Sequence, residues 1–293
     1  MRILVTGASS FVGAHCARLA AERGFEVFGL HRNTPLSLPG VTSIRADLGD
    51  IESLSSLEAL NLDGVVHLAC KVKRPTTTGA PTVTELNARM LETLLKLGRP
   101  LVYASSTVVH WDRPTEYGRC RQAEEAQIAA SDLRWAVVRP CAPYGPRLAA
   151  HQPTHKESFH TLADFVKRLR IVPVPGTGRA RRQPVHVDDF NGAILALLRA
   201  GLPNLAFDSG GGQALTVNAL VDTLARVRGK RIKKVHIPAG AIALPARFSR
   251  DFEPELLAAF DTDDVADPGP LQAQTGLQPR RFEDGAADLF RTV

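Results

Sequence analysis

At 293 residues, 44% of them hydrophobic, the chain is long enough for one large or two modest cored domains. No apolar run reaches about 18 residues, and a strand-like segment already begins at residue 2, so neither a membrane span nor a secretory leader is expected. The net charge of +6 gathers at Arg179–Arg182 and Lys230–Lys234 without interleaved aromatics, which sets nucleic acid aside in favour of anionic small molecules or solvated faces. Cys16, Cys70, Cys120 and Cys141 are too dispersed for a zinc knuckle or a disulfide framework and suit a reducing cytoplasm.

Arg2 to Thr6 reads as a short buried strand, followed by Gly7-Ala8-Ser9-Ser10-Phe11-Val12-Gly13 and an apolar-periodic helix running on through residues 14–23. Gly24 stops that helix at the position glycine prefers. A strand that breaks at glycine and opens a helix presents unpaired amides and the positive end of the helix dipole, which is a phosphate site. Gly7 would allow the sharp turn and Gly13 the close approach of helix to strand, with Ser10 where a middle glycine often sits. Residues 25–30 form the second predicted strand. A dinucleotide fold places the adenosine ribose at its end, where an acidic residue would favour NAD. Here His31-Arg32 stands there; Arg32 facing a 2′-phosphate would tip the choice toward NADP, and Arg32 as a solvated loop residue would leave it open.

Further strands are predicted at 41–46, ending in Asp47-Leu48, and at 64–69, 100–105 and 135–138. Helices are predicted at 51–60, 87–97 and 117–131, and the Pro-, Thr- and Gly-rich residues 72–84 are predicted loop. Alternation of strand and helix from Met1 to about Arg139 is the signature of a doubly wound parallel sheet of Rossmann type. Beyond Pro140 the rhythm breaks. Residues 140–156 are expected to form a long surface loop, with helices at 158–170, 188–200 and 216–228, the last opened by Thr216. Strands are expected at 205–208 and 233–237. The expected organisation is a dinucleotide-binding domain over 1–150, its sheet completed by parts of 172–210, and a smaller substrate-binding lobe over 151–293. Such a lobe would cover the carboxyl ends of the strands, where open parallel sheets bind ligands.

Tyr117 and Arg121 lie four residues apart and so share a helix face. A permanent cation beside a phenol favours the phenolate, and a phenol tuned in this way can move a proton at a substrate hydroxyl. Ser105-Ser106-Thr107 leaves the end of the fifth strand on the ligand side, where a hydroxyl would hold a substrate oxygen during hydride transfer. His151-x-x-x-His155 is interrupted by Pro153 and lacks further ligands, so a solvated loop is expected and no metal. Cys141 falls near the presumed cleft and reads chemically as a small packing residue. His186 and Asp189 are expected to fix a strand–helix junction, with Asp189 as a candidate cap.

These segments together resemble the extended short-chain dehydrogenase/reductases, the NAD-dependent epimerase/dehydratase family. The resemblance spans Met1 to about residue 230. It rests on Val5-Thr6-Gly7…Phe11-Val12-Gly13, Ala46-Asp47-Leu48, His67-Leu68-Ala69, Asn87 and Tyr103-Ala104-Ser105-Ser106-Thr107. It continues in Tyr117…Arg121, Val138-Arg139-Pro140…Tyr144-Gly145-Pro146 and Gln183-Pro184-Val185-His186-Val187-Asp188-Asp189. It implies that Gly7, Ser9, Ser10, Phe11, Val12 and Gly13 surround the pyrophosphate of NAD or NADP. His31, Arg32, Asp47 and Leu48 would flank the adenosine, and Leu68, Ala69, Lys71, Ser105 and Pro140 would line the rest of the cofactor channel. Ser106 would be the catalytic hydroxyl and Tyr117 the acid/base, with Arg121 in the place of the family's lysine at the nicotinamide ribose. Thr107, Cys141 and Arg182 would face substrate, Arg182 matching an arginine that sugar-nucleotide members use against a diphosphate. A homodimer through helices 87–97 and 117–131 is implied as well.

Two departures bear on activity. Arginine keeps the charge of lysine but does not readily release a proton. Only ten residues separate Ser106 from Tyr117, where sugar-nucleotide members carry a longer loop. The leading expectation is an NAD(P)-dependent oxidoreductase or epimerase acting on a carbinol or keto group of a small molecule. A dinucleotide-binding sensor or assembly factor without turnover, and a redox-neutral isomerase or dehydratase with retained cofactor, stay open. Trp111 and the aliphatic residues 238–248 would suit an apolar pocket as well as Arg182 suits a phosphorylated one.

Overall fold

The computed structural model describes residues 1–50, 53–72, 80–151, 157–238, 240–241 and 260–293, with the side chains of 53 and 54 left aside. His155 and Pro153, the helix start at 51–52, part of the 72–84 loop and most of 238–248 lie outside the described residues.

Seven parallel strands form the main sheet: β1 (Arg2–Thr6), β2 (Glu26–His31), β3 (Val41–Arg45), β4 (Gly64–His67), β5 (Leu101–Ala104), β6 (Trp135–Pro140) and β9 (Leu205–Ser209). Their order is β3-β2-β1-β4-β5-β6-β9, so the chain reverses direction across the sheet after β3, at β1 and β4. Alternate residues of each strand supply opposite faces. Ile3, Val5, Val66, Val102 and Val138 pack against α1 (Phe11–Glu22) and α6 (Val187–Ala200). Leu4, Val65, Leu101, Tyr103 and Val137 pack with Leu91, Leu94 and Leu97 of α3 (Val83–Leu97) and Ile128 of α4 (Glu116–Ala129). Burial on both faces is why these strands read as apolar runs rather than as an alternation.

A third apolar cluster lies to the side. It joins Tyr144, Phe159 and Ala163 to Val172 and Val174 of β7 (Ile171–Pro175), Leu220 and Leu224 of α7 (Val217–Val227), and Phe282 and Leu289. Residues 233–237 form β11, which pairs parallel with β7 over Lys233↔Ile171 to Ile237↔Pro175. The short β8 (Arg181–Arg182) pairs with β10 (Leu215–Thr216), and α8 (Gly269–Thr275) follows late in the chain.

Several boundaries differ from the sequence reading for local reasons. α3 begins four residues before Asn87, because Thr82 and Glu85 close a reciprocal capping box: Glu85 N donates to Thr82 Oγ1 at 3.1 Å, and Thr82 N to Glu85 Oε2 at 2.7 Å. The cap of α6 is His186, whose Nδ1 accepts from Asp188 N at 3.2 Å, and not Asp189, which instead binds Arg280 at 2.7 Å. Thr216 does cap α7. The described part of 140–156 is no surface loop. Tyr144, Leu148 and His151 are buried, and the backbone is paired through Tyr144 N to Val185 O at 2.9 Å and Val187 N to Tyr144 O at 2.7 Å. Among the described residues, no helix is long and apolar enough to cross a membrane.

Candidate active site

One cavity of about 800 Å³ opens over the carboxyl ends of β1, β2, β4 and β5. At its centre is the turn between β1 and α1. Gly7 takes a left-handed φ of +65°, and Ser10 N donates back to Gly7 O at 2.8 Å. A Cβ on Gly13 would lie 2.1 Å from Gly7 O, so helix and turn meet backbone to backbone. Ser10 caps α1 by accepting from Gly13 N at 3.0 Å, which leaves the amides of Phe11 and Val12 at the helix start without intrahelical partners. His151, expected in solvent, is buried and binds Ser9 O through Nε2 at 2.8 Å, pinning the outer side of the turn.

The floor beyond the turn is tied down by two polar clamps. Thr6 Oγ1 accepts from Leu68 N and Ala69 N, both at 3.2 Å, and contacts His67 Nδ1 at 2.6 Å. Burial, and then the Arg121 cation, hold His67 near a pKa of about 3, so its ring is neutral. Asn87 brackets Lys71 on both sides, with Lys71 N donating to Asn87 Oδ1 at 2.8 Å and Asn87 Nδ2 to Lys71 O at 2.9 Å. At the far wall Leu48 is buried, and Arg32 lies 3.8 Å from Asp47, both side chains half exposed. His31 is buried at the end of β2, and burial followed by the Arg45 cation lowers its pKa.

The hydroxyl end lies at the carboxyl edge of β5. The three hydroxyls there have separate fates. Ser105 is buried and donates to Glu125 Oε1 at 2.5 Å, and Thr107 is buried and donates to Pro140 O at 3.4 Å. Ser106 lines the cavity, and among the described residues its hydroxyl has only a long contact from Val108 N at 3.4 Å. Tyr117 and Arg121 line the same cavity from the first turns of α4, which Thr115 caps by accepting from Gly118 N at 3.1 Å.

The Arg121 guanidinium carbon lies 5.0 Å from the Tyr117 ring centroid and 5.3 Å from that of Tyr103. Arg121 donates to Tyr103 Oη and pairs with Glu124 at 3.2 Å, and Tyr103 Oη donates to Glu124 Oε2 at 2.5 Å. The expected lowering of the Tyr117 pKa does not follow. Burial raises it, and the guanidinium offsets only part of that rise. Arg121 itself is 1% exposed, yet its Nε has no partner among the described residues. The open amides of the turn, at the centre of a cavity of this size, fit an anionic dinucleotide.

The cavity therefore joins Gly7, Ser9, Ser10, Phe11, Val12, His31, Arg32, Asp47, Leu48, Leu68, Ala69, Lys71, Ser105, Ser106, Tyr117, Arg121 and Pro140. Gly13, Thr107 and Cys141 sit behind this lining; burial pushes the Cys141 thiol up to about 12. Arg182 is also outside it. Its guanidinium donates to Thr262 O at 2.7 Å and Arg181 O at 2.8 Å, and Asp263 and Asp264 lie close enough to act on its charge. Trp111 is likewise not among the lining residues. Cys70 and Glu157 line the cavity without any motif announcing them, and burial lifts the Glu157 carboxyl to about 7. Among the described residues, no three His, Cys, Asp or Glu side chains converge as a metal set.

Fold and cavity define a dinucleotide-binding α/β enzyme of the extended short-chain type. The chain belongs to the NAD-dependent epimerase/dehydratase family, whose model matches residues 3–208. It is 26% identical to a ceramide reductase of Caulobacter vibrioides over 246 aligned positions, covering 80% of this chain and 73% of that protein. It is 29% identical to a dTDP-glucose 4,6-dehydratase of Streptomyces antibioticus over 331 aligned positions, covering 100% and 91%. In fold it is similar to the dTDP-glucose 4,6-dehydratase of Bacillus anthracis solved with NAD, with a TM-score of 0.76, 17% identity, and 99% and 96% of the two chains covered. The UDP-glucose 4-epimerase of Thermotoga maritima solved with UDP-glucose gives the same TM-score at 20% identity, covering 99% and 98%.

Proposed function

We propose that this protein transfers a hydride between NAD or NADP and a carbinol or keto carbon of a small molecule. In this reading Tyr117 exchanges the proton and Ser106 holds the substrate oxygen. The observation that carries it is the shared cavity: the amide-rich turn at Gly7–Val12, the least engaged hydroxyl of the Ser-Ser-Thr triplet, and the Tyr117–Arg121 pair all line one space. A bound nicotinamide dinucleotide supplies or accepts the hydride. The turn binds its diphosphate through amides and the helix dipole, and Arg121 places a cation at the Tyr117 end of the same space. Arg32 at the adenosine end supports NADP, with Asp47 as a competing partner 3.8 Å away. The engaged state of Arg182 supports a substrate whose recognition does not depend on that cation, so a nucleotide-linked sugar is the less favoured of the small-molecule substrates.

Calorimetry with oxidised and reduced forms of both pyridine nucleotides tests the first half. Binding of at least one form is expected, and the absence of heat and of any thermal shift with all four ends the reading. The second half is tested by screening alcohols, ketones and sugar nucleotides for a change in nicotinamide absorbance that disappears in Ser106→Ala. Tight cofactor retention with product formation but no net absorbance change would assign a redox-neutral isomerase or dehydratase instead.

A further inference from the structure

Two consecutive glutamates on α4 have different partners. Glu125 clamps Arg139, accepting from its Nε at 2.9 Å and its Nη2 at 2.5 Å, and takes the Ser105 hydroxyl as well. Glu124 faces the other way, into the sheet. Tyr117, Arg121 and Glu124 are spaced i, i+4, i+7 and so stack along one helix face. Across from them, Tyr103 projects from β5 on the same side of the sheet as Leu101. The guanidinium of Arg121 is held between two phenol rings, on Tyr103 Oη and Glu124 Oε2, with Glu124 only 3% exposed. A buried guanidinium needs such a counter-charge, because desolvation otherwise outweighs what its surroundings return.

We propose that Glu124, linked through the Tyr103 hydroxyl, is a positioning residue that holds the Arg121 guanidinium against the Tyr117 ring and limits how much of its charge the phenol experiences. The groups acting on Tyr117 are Arg121 and Glu124 from its own helix, Cys70 from the segment after β4, and Tyr103 from β5. Of these, Arg121 favours the phenolate, while Glu124 and Cys70 oppose it. The carboxylate is thus the brake on the cation: Arg121 is anchored, and in the same contact its field is partly cancelled. The proposal deepens the role given above to Tyr117 and takes its functional meaning from that role.

The test needs neither substrate nor cofactor, so its outcome is separate from whether hydride transfer occurs. The chain has only three tyrosines, Tyr103, Tyr117 and Tyr144, so ultraviolet difference titration of tyrosinate is simple to assign. Tyr117→Phe identifies the Tyr117 transition by its loss, and circular dichroism at each pH confirms that the fold persists. In Glu124→Gln the Tyr117 transition is expected to move down by about one pH unit, the size of effect a close charge exerts. A folded Glu124→Gln with an unmoved or raised transition overturns the proposal. Should Glu124→Gln fail to fold, the uncharged double variant Arg121→Leu/Glu124→Leu replaces it, since buried pairs often yield to apolar residues without loss of fold. There the Tyr117 transition is expected to rise, because the nearer cation is lost along with its brake. A transition that falls or stays in place overturns the proposal equally.

Discussion

The turn at Gly7–Gly13 and the cluster at Tyr117–Arg121–Glu124 border the same cavity but are built on opposite principles. The turn works through main chain. Its shape comes from the left-handed Gly7 and from the absence of a side chain at Gly13, and its ligands are amides that carry no titratable proton. The cluster works through side-chain charge set inside a close-packed helix–sheet interface, where each ionisable group alters its neighbours. The first region is sensitive to volume and indifferent to pH. The second responds to any change in charge.

Substitutions can break that contrast in order of effect. Gly13→Ala places a methyl carbon 2.1 Å from Gly7 O, a clash with main chain that only a shift of helix against strand relieves. It is expected to cost about 3 kcal/mol or more and to abolish pyridine-nucleotide binding, read by chemical denaturation and calorimetry. Retained binding at normal stability would show that the turn is more forgiving than its spacing implies. Tyr117→Phe changes little volume but removes the hydroxyl to which the proposed proton exchange is assigned. It should lower turnover by about 10²–10⁴-fold while leaving cofactor affinity within about twofold, and an unaffected rate removes Tyr117 from the chemistry.

A smaller effect is expected away from the cavity, at the α1–α6 contact behind the turn. Asp188 accepts from Arg18 at 2.7 Å and lies 3.5 Å from His15 Nδ1. Burial would raise its carboxyl, but these partners reverse that and hold it at about 2. A depressed acid contributes stability that is present above pH about 4 and lost as pH falls toward 2. Asp188→Asn should therefore cost about 1 kcal/mol at neutral pH, after allowance for partial exposure, and nothing at pH about 2. Denaturant midpoints at the two pH values check this.

Glu157 gives the smallest and opposite effect. Burial lifts its carboxyl to about 7, so the folded state holds the proton more tightly than the unfolded chain. Stability at this site is present at low pH and declines as pH rises toward 7. Glu157→Gln should be more stable than wild type above pH about 7 by a few tenths of a kcal/mol, because the side chain is only partly buried where it lines the cavity. The same measurement at pH about 4 should show no gain.

Much of the fold was legible because parallel strands covered on both faces leave apolar runs, as in Gly64–His67 and Trp135–Pro140, each bounded by a helical period. The pairing of β7 with β11, more than sixty residues apart in sequence, has no such local trace, and prolines at 173 and 175 argue against a strand when read alone. The Thr82-x-x-Glu85 box was present in the sequence but sits in a Pro- and Thr-rich stretch whose composition reads as loop. Within the site, the Ser105-Ser106-Thr107 triplet and the Tyr117–Arg121 pair were legible from spacing and order, and the resemblance singled out Ser106 among the three hydroxyls. What spacing could not give was the phase of α4, which the Thr115 cap sets and which turns Glu124 inward and Glu125 toward Arg139. Nor could it show that burial would outweigh the cation at Tyr117, since that depends on how tightly β5, the segment at Cys70 and the helix close around the phenol.

Residues 291–293 have a part in this as well. Val293 is zipped to the middle of the sequence, with Ala149 N donating to Val293 O at 2.6 Å and Val293 N to Arg147 O at 2.8 Å, while Arg147 N reaches Arg291 O at 3.0 Å. The strip so fastened continues directly from Pro140, Ala142 and Pro143, which form part of the cavity wall. Uncoupling residues 291–293 from 147–149 would thus loosen the wall of the binding chamber while leaving the seven-stranded platform beneath it intact.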